Sequence, residues 1–247
     1  MPTEIKCYER TPATMHPLDN VIWHALTSRQ TEFAETFGEA RRFLRDVTSL
    51  TAMLEPNDAG YRSLAGLVGP KGTAALFLDD PFPGREGWTV VGGAPLLQMV
   101  CDDGFGQENA QHSAPKGAQP QIVPLGPADS PEMMELTALT KPGPFGSRTH
   151  ELGDYLGIRH EGKLVAMAGE RLKVRGHTEI SAVCTHPGHT GHGYAASLMM
   201  ELMTRIRRRG EIPILHVRAD NVRAIALYGR LGFHTRIRRH FVVVRRD

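Results

Sequence analysis

The sequence predicts an α/β (α+β) fold, on three observations. Two apolar runs, 155–160 and 163–169, are separated only by Glu161 and Gly162, which makes them an antiparallel hairpin. Residues 194–209 place Ala195, Leu198, Met199, Leu202, Met203 and Ile206 on one stripe and stop at Gly210, the pattern of a helix with one core face. Between 102 and 121, Gly, Gln, Ser, Pro and Asn crowd out branched apolar residues, and such a stretch packs no core. The chain is therefore divided into an N-terminal α/β domain at 1–101, a linker or mobile loop at 102–120, and a second domain at 121–247.

In the first half, 21–26 and 33–44 read as short helices, and Val68, 74–78, Val90 and 96–100 as strands set apart by Gly and Pro. Arg41, Arg42 and Arg45 read as the solvated face of the second helix. In the second half, 121–125 alternates as a strand, and Asp129 caps a helix carrying Met133, Met134, Leu136 and Leu139 until Pro142 and Pro144 stop it. A short helix over 148–152 leads into the hairpin, and Gly176 turns the chain into a strand over 179–185. After the long helix come a strand at 212–217, a helix at 221–231 and a closing strand at 241–244.

Composition narrows the function classes. The chain has 247 residues, with 29 Lys+Arg against 27 Asp+Glu, so the global basic field of a general nucleic-acid binder is missing. The basic run Arg236, Arg238, Arg239, Arg245 and Arg246 has no aromatic stacking platform and reads as a charged, solvated strand edge, so no nucleic-acid partner is expected. Cys7, Cys101 and Cys184 are odd in number and lack ligand spacing, which speaks against a disulfide framework or zinc ribbon and for a reducing cytoplasm. Glu4, Lys6, Glu9 and Arg10 leave no apolar signal-peptide core, and no run reaches the roughly 18 apolar residues of a membrane span.

Two constellations could carry chemistry. From Val183, Cys184 and Thr185 the chain runs through His186, Pro187, Gly188, His189, Thr190, Gly191, His192 and Gly193 into Tyr194 and Ala195, joining a strand end to the long helix. Backbone N–H groups at a helix N-terminus lack intrahelical partners and sit at the positive end of the dipole, so a pyrophosphate is the natural occupant. The plainer reading is a glycine-rich turn into a core helix. A dinucleotide fingerprint would need a parallel βαβ unit, and a nucleotide P-loop would need Lys-Ser or Lys-Thr where Tyr194 and Ala195 stand. His186, His189 and His192 recur every third residue, but with no carboxylate or cysteine pair nearby no metal is expected. In the second constellation Asn221 begins a helix, with Ala224, Leu227, Tyr228, Leu231, Gly232 and Phe233 following. Asn221 can cap that helix or orient a ligand. Tyr228, two turns further on, shares its face.

Together the two motifs resemble the GNAT superfamily of N-acetyltransferases. Val183 to Ala195 fits the family's phosphate loop, except that Thr190 stands at the usual Arg/Gln position, and the later Asn-x-x-Ala-x-x-Leu-Tyr-x-x-Leu-Gly-Phe pattern is matched without departure. The resemblance covers 121–247 and implies a mixed, mostly antiparallel sheet flanked by helices. The first half is left as a degenerate copy of that fold or a lid over the acceptor pocket.

The resemblance further implies acetyl-CoA as co-substrate and transfer of its acetyl group to an amine by direct attack. The strand over 179–185 splays from the next one. The pantetheine arm then lies along Val183, Cys184 and Thr185, and the pyrophosphate meets the amides of Thr190, Gly191, His192, Gly193, Tyr194 and Ala195, with His189, Asn221 and Ala224 beside it. Tyr228 would protonate the leaving thiolate. Glu179, sharing a face with Ser181 and Val183 by alternation, is the candidate general base, with Glu170 and His216 as alternatives. Cys184 is expected to be inert packing rather than a nucleophile. A non-catalytic acetyl-CoA sensor is the alternative reading, motivated by Thr190. The acceptor is a small-molecule or peptide amine, and the chain is expected to be a monomer or homodimer without membrane partners.

Overall fold

In a computed structural model of the chain, residues 16–102 and 120–247 are described. The expectations for 1–10, for Cys7 and for most of the linker fall outside them.

The first described element is α1 (Val21–Leu26), followed by a small antiparallel sheet of β1 (Ala34–Phe37), β2 (Ala40–Phe43) and β3 (Thr51–Met53). The helix expected over 33–44 is thus a hairpin. Gly38, at φ 51°, makes the turn that only a residue tolerant of the left-handed region makes cheaply, and Glu35 faces Arg42 across the strands as an ion pair. Arg41 is no part of a solvated helix face, since its guanidinium lies over the Trp23 ring, 4.9 Å from the centroid. Val68 ends a helix, α2 (Asp58–Val68), whose N-terminus Asn57 caps by accepting from the Gly60 amide.

The main sheet has eight strands. They are β4 (Thr73–Leu78), β5 (Trp88–Val100), β6 (Ile122–Leu125), β7 (Tyr155–His160), β8 (Lys163–Val174), β9 (His177–Thr185), β10 (Ile212–Arg218) and β11 (His234–Arg246). Their spatial order is β4-β11-β5-β10-β9-β8-β7-β6, and every neighbouring pair is antiparallel except β9 and β10. The mixed α/β architecture with a mostly antiparallel sheet is as expected. The sheet also runs across the composition break: β5, from before it, pairs with β10 and β11 from after it. β11 is an interior strand between β4 and β5, so the basic run is not an edge. Arg236 bonds Gln98 and Asp19, and Arg239 contacts Asp19 and Asp79.

The remaining helices are α3 (Ser130–Thr140), α4 (Tyr194–Arg208) and α5 (Val222–Arg230). The predicted stripe of α4 is buried: Leu198, Met199, Leu202, Met203 and Ile206 pack with Leu156, Ile180 and Leu215 of the sheet. Each such side chain contributes roughly 1.5–3 kcal/mol relative to exposure, which fixes the start of α4 against the sheet. On another patch, α1 and Phe43 pack on Leu172, Val174 and Ile214, tying the first half to β8 and β10. Among the described residues no helix is long and apolar enough to cross a membrane.

β9 and β10 pair only from Ile212↔His177 to Ile214↔Glu179. Beyond that point β9 stays with β8 and β10 with β5, so the two separate and open a cleft. β9 also carries a bulge, with register shifting between Met167↔Cys184 and Gly169↔Ser181, and Ala182 at φ 53°. The alternation argument therefore fails past Ser181. Val183 packs with Ile180 in the α4 layer, whereas Ala182 and Cys184 lie in the α3 layer.

Candidate active site

The loop at the end of β9 is held by its own side chains. His186 Nδ1 accepts from the Gly188 amide at 3.1 Å, Thr190 Oγ1 donates to the Pro187 carbonyl at 3.3 Å, and His192 Nδ1 donates to the His189 carbonyl at 3.1 Å. Gly191 and Gly193 have φ 87° and 76°, and α4 then begins with no side-chain cap. Its first backbone bond runs from Ser197 N–H to the Gly193 carbonyl, so the earlier amides of the helix have no intrahelical acceptor. A Cβ on Gly191 would meet nothing within 4 Å, so conformation alone sets the cost of a side chain there. We expect Gly191→Ala to lose about 1–2 kcal/mol of stability in a thermal melt without ligand. A loss below about 0.3 kcal/mol would show that the left-handed turn is dispensable.

A cavity of about 360 Å³ faces this loop, lined by His189, Thr190, Gly191, Gly193, Tyr194 and Ala195 on one side and Asn221, Ala224 and Tyr228 on the other. A second cavity of about 580 Å³ shares Val183, Cys184, Thr185, Asn221 and Tyr228 with it and continues to Phe77, Arg171, His216 and the loop after α3. The structure thus brings the two sequence constellations to one cleft at the β9–β10 split. His192 is the exception among the expected cofactor residues. Its ring stacks on Tyr194, 5.4 Å between centroids, and does not line the cleft. Asn221 caps α5, its Oδ1 accepting from the Ala224 amide at 3.1 Å. His186 and His160 both contact the His189 ring, yet among the described residues no three His, Cys, Asp or Glu side chains converge as a metal ligand set.

Tyr228 is 8% exposed and its hydroxyl makes no hydrogen bond within the described residues. Burial, and then the neighbouring Cys184, push the phenol up to about 12. Burial pushes the Cys184 thiol up to about 11, more than the Thr140 and Met167 hydrogen bonds lower it, so at neutral pH it is a thiol and not a nucleophilic thiolate.

Glu179 occupies a different position from that of a free base. It is fully buried and does not line either cavity, with Arg171 donating to it twice, at 2.8 and 2.7 Å, and His216 Nδ1 2.7 Å away. Burial by itself raises the carboxyl. The charge and hydrogen bonds of Arg171, with the hydrogen bond from His216, outweigh it and hold the group down at about 2. Glu170 is likewise buried, taken up by Arg209 at 2.5 Å and Lys173 at 2.9 Å.

His216 is fixed from both sides. Arg236 donates to Gln98 Oε1 at 2.9 Å, which turns the Gln98 amide nitrogen toward the Leu18 carbonyl at 2.9 Å and His216 Nε2 at 3.1 Å. An amide nitrogen only donates, so Nε2 accepts, the ring proton sits on Nδ1, and the imidazole is neutral and donates to Glu179. Sequence reasoning missed Arg171, Gln98 and Phe77 as parts of this site. The signal for Arg171 was present as a charge in the midst of an apolar strand, from Leu164 to Leu172, which demands a buried partner.

Residues 155–242 match the family model described as FR47-like protein. A GNAT-family protein from Novosphingobium aromaticivorans is similar over 94% of this chain and 100% of its own, at 34% identity and a TM-score of 0.83. A GCN5-related N-acetyltransferase from Kribbella flavida shares the fold at 17% identity and a TM-score of 0.58, covering 92% of this chain and 96% of that one. A GCN5-related N-acetyltransferase-like protein from Streptococcus suis does so at 15% identity and a TM-score of 0.53, covering 90% and 92%. No curated protein matches the chain. A sheet opened between two parallel strands, with a helix N-terminus at the opening, is in this company the fold of acyltransferases. More narrowly, the chain belongs to the GNAT family.

Proposed function

We propose that the chain transfers an acetyl group from acetyl-CoA to an amine by direct attack, with Tyr228 as the acid that protonates the departing thiolate. The observation that carries this reading is that the 189–195 loop and Tyr228 line one cavity, which continues along the separated end of β9. The pyrophosphate is assigned to the free amides at the start of α4, and the pantetheine arm to the backbone of Val183, Cys184 and Thr185, where β10 has left β9 unpaired. A backbone N–H of that same edge supplies the donor for the oxyanion. Tyr228, protonated throughout the neutral range, is the one phenol among the described residues that lines the larger cavity, where the two cavities meet.

Glu179 takes a positioning role here instead of the general-base role expected of it. A carboxylate held near 2 and engaged on both oxygens has almost no tendency to take a proton, and His216 has both ring nitrogens occupied. The amine proton leaves to water through the open cleft. The cationic lining helps by disfavouring the ammonium form. The Cys184 thiol, which is in no disulfide, accords with a reducing, cytoplasmic location.

CoA at about 100 times its dissociation constant is expected to add about 2.7 kcal/mol, a rise of about 5–10 °C in Tm for a chain of this size. No shift at millimolar CoA would remove the reading. Thr190 in place of the usual Arg/Gln favours the sensor alternative, and thiol release from acetyl-CoA with a panel of amines decides between them.

A further inference from the structure

The far end of the cleft has an uneven charge distribution. Among the described residues no Asp or Glu lines the larger cavity, whereas Lys141, Arg171, Arg218 and Arg223 do. Arg218 is already paired with Asp220 in solvent, and Arg223 also lines the cavity at the phosphate loop. Lys141 and Arg171 therefore serve the other end, with Phe77 and Phe241 beside them.

Arg171 is 5% exposed, and its Nε and Nη2 are taken by Glu179. Its Nη1 has no partner among the described residues and looks toward the loop after α3, where a Cβ on Gly143 would stand 3.9 Å from it. The Glu179 carboxylate lies behind the guanidinium and away from the cavity, so the pair turns its positive edge to the ligand. Lys141, in the left-handed region at φ 50°, ends α3 on the rim of the same cavity and has no ion-pair partner among the described residues. A buried guanidinium with two N–H hydrogens unspent, fixed by a carboxylate at its back and joined by a lysine, is a seat for a planar or tetrahedral oxyanion.

We propose that the amine accepted in this cleft carries an anionic group, a carboxylate or a phosphate, that docks on Arg171 Nη1 with Lys141 beside it. This rests on the acyl-transfer reading above and adds the chemical class of the acceptor. Phe77 and Phe241 offer an apolar wall for the body of such a molecule, and a polyamine or a lysine-rich tail would meet only like charge there.

The test compares amines of matched carbon skeleton with and without the anion, each rate taken per concentration of free amine at the assay pH. Phenylalanine is set against phenethylamine, tyrosine against tyramine, β-alanine against ethylamine, and phosphoethanolamine against ethanolamine, with thiol release from acetyl-CoA by the full chain as readout. The expected result is a kcat/KM about ten- to a hundredfold higher for the anionic member of at least one pair, the size of one charge-assisted contact. The first three pairs and the last distinguish carboxylate from phosphate. Lys141→Glu should bring that ratio down to about one, and because a ratio is read, partial unfolding of the variant does not disturb it. Equal or better use of the uncharged partners overturns the inference, and so does thiol release with neither member of any pair. Faster transfer from succinyl-CoA with no preference among the amines would put the anion on the acyl donor and overturn it as well. A thermal shift with CoA in any of those cases leaves CoA binding standing, whereas its absence removes the underlying reading.

Discussion

Tyr228→Phe is expected to lower kcat by about a hundredfold or more, while the dissociation constant for CoA stays within about twofold. The phenol ring packs against Phe233 and remains in the variant, so what is lost is the hydroxyl at the cleft. A general acid contributes about 10²- to 10⁴-fold when it reaches the group it protonates, and among the described residues no second phenol lines the larger cavity to replace it. The pH profile carries a separate signature. Burial has moved this group up to about 12, so it stays protonated well past neutrality. The rate should rise with pH as the amine loses its proton, and should show no alkaline fall assignable to Tyr228 below about pH 11. Steady-state kinetics and calorimetry on the same preparations check both statements, and a wild-type kcat in Tyr228→Phe would assign the hydroxyl no part in the chemistry.

Glu179→Ala should destabilise the fold by about 3–5 kcal/mol, because it leaves the Arg171 guanidinium buried without its counter-charge. For a chain of this size that is a fall of about 6–20 °C in Tm. The double replacement Glu179→Leu with Arg171→Met should recover most of the loss, since removing both charges removes the desolvation cost along with the attraction. The acid side gives a further check. A carboxyl whose folded value is depressed stabilises the fold above its unfolded value, here 4.5, and that contribution is lost as pH falls toward about 2. Wild type should therefore lose stability between about pH 5 and 2 more steeply than Glu179→Ala. If the alanine variant melted like wild type and only its rate fell, Glu179 would be a base after all.

Much of the fold could be read along the chain because its causes are local. The stripe on α4, the Glu161-Gly162 turn, the Asn221 cap and the two glycines before Tyr194 each depend on residues a few positions apart. The hairpin over 34–43 reads as a helix along the chain because its apolar residues suit either period, and the positive φ of Gly38 that makes its turn is not a property of the residue order alone. Strand β11 proved three times longer than its apolar patch, since Arg236 and Arg239 find partners only on Asp19, Gln98 and Asp79, far away in sequence.

The same division holds for the site. Residue order by itself determined the glycine-rich loop before Tyr194 and the capped helix bearing Tyr228, because dipole, turn and cap are short-range effects. Tertiary structure alone decided that β5 closes the sheet beside β10, that a bulge at Ala182 turns Val183 to the other face, and that Glu179 is held by Arg171 and His216. Those outcomes depend on strands distant in sequence, and a carboxylate's role follows from the charges and the water around it, which the order of residues does not specify.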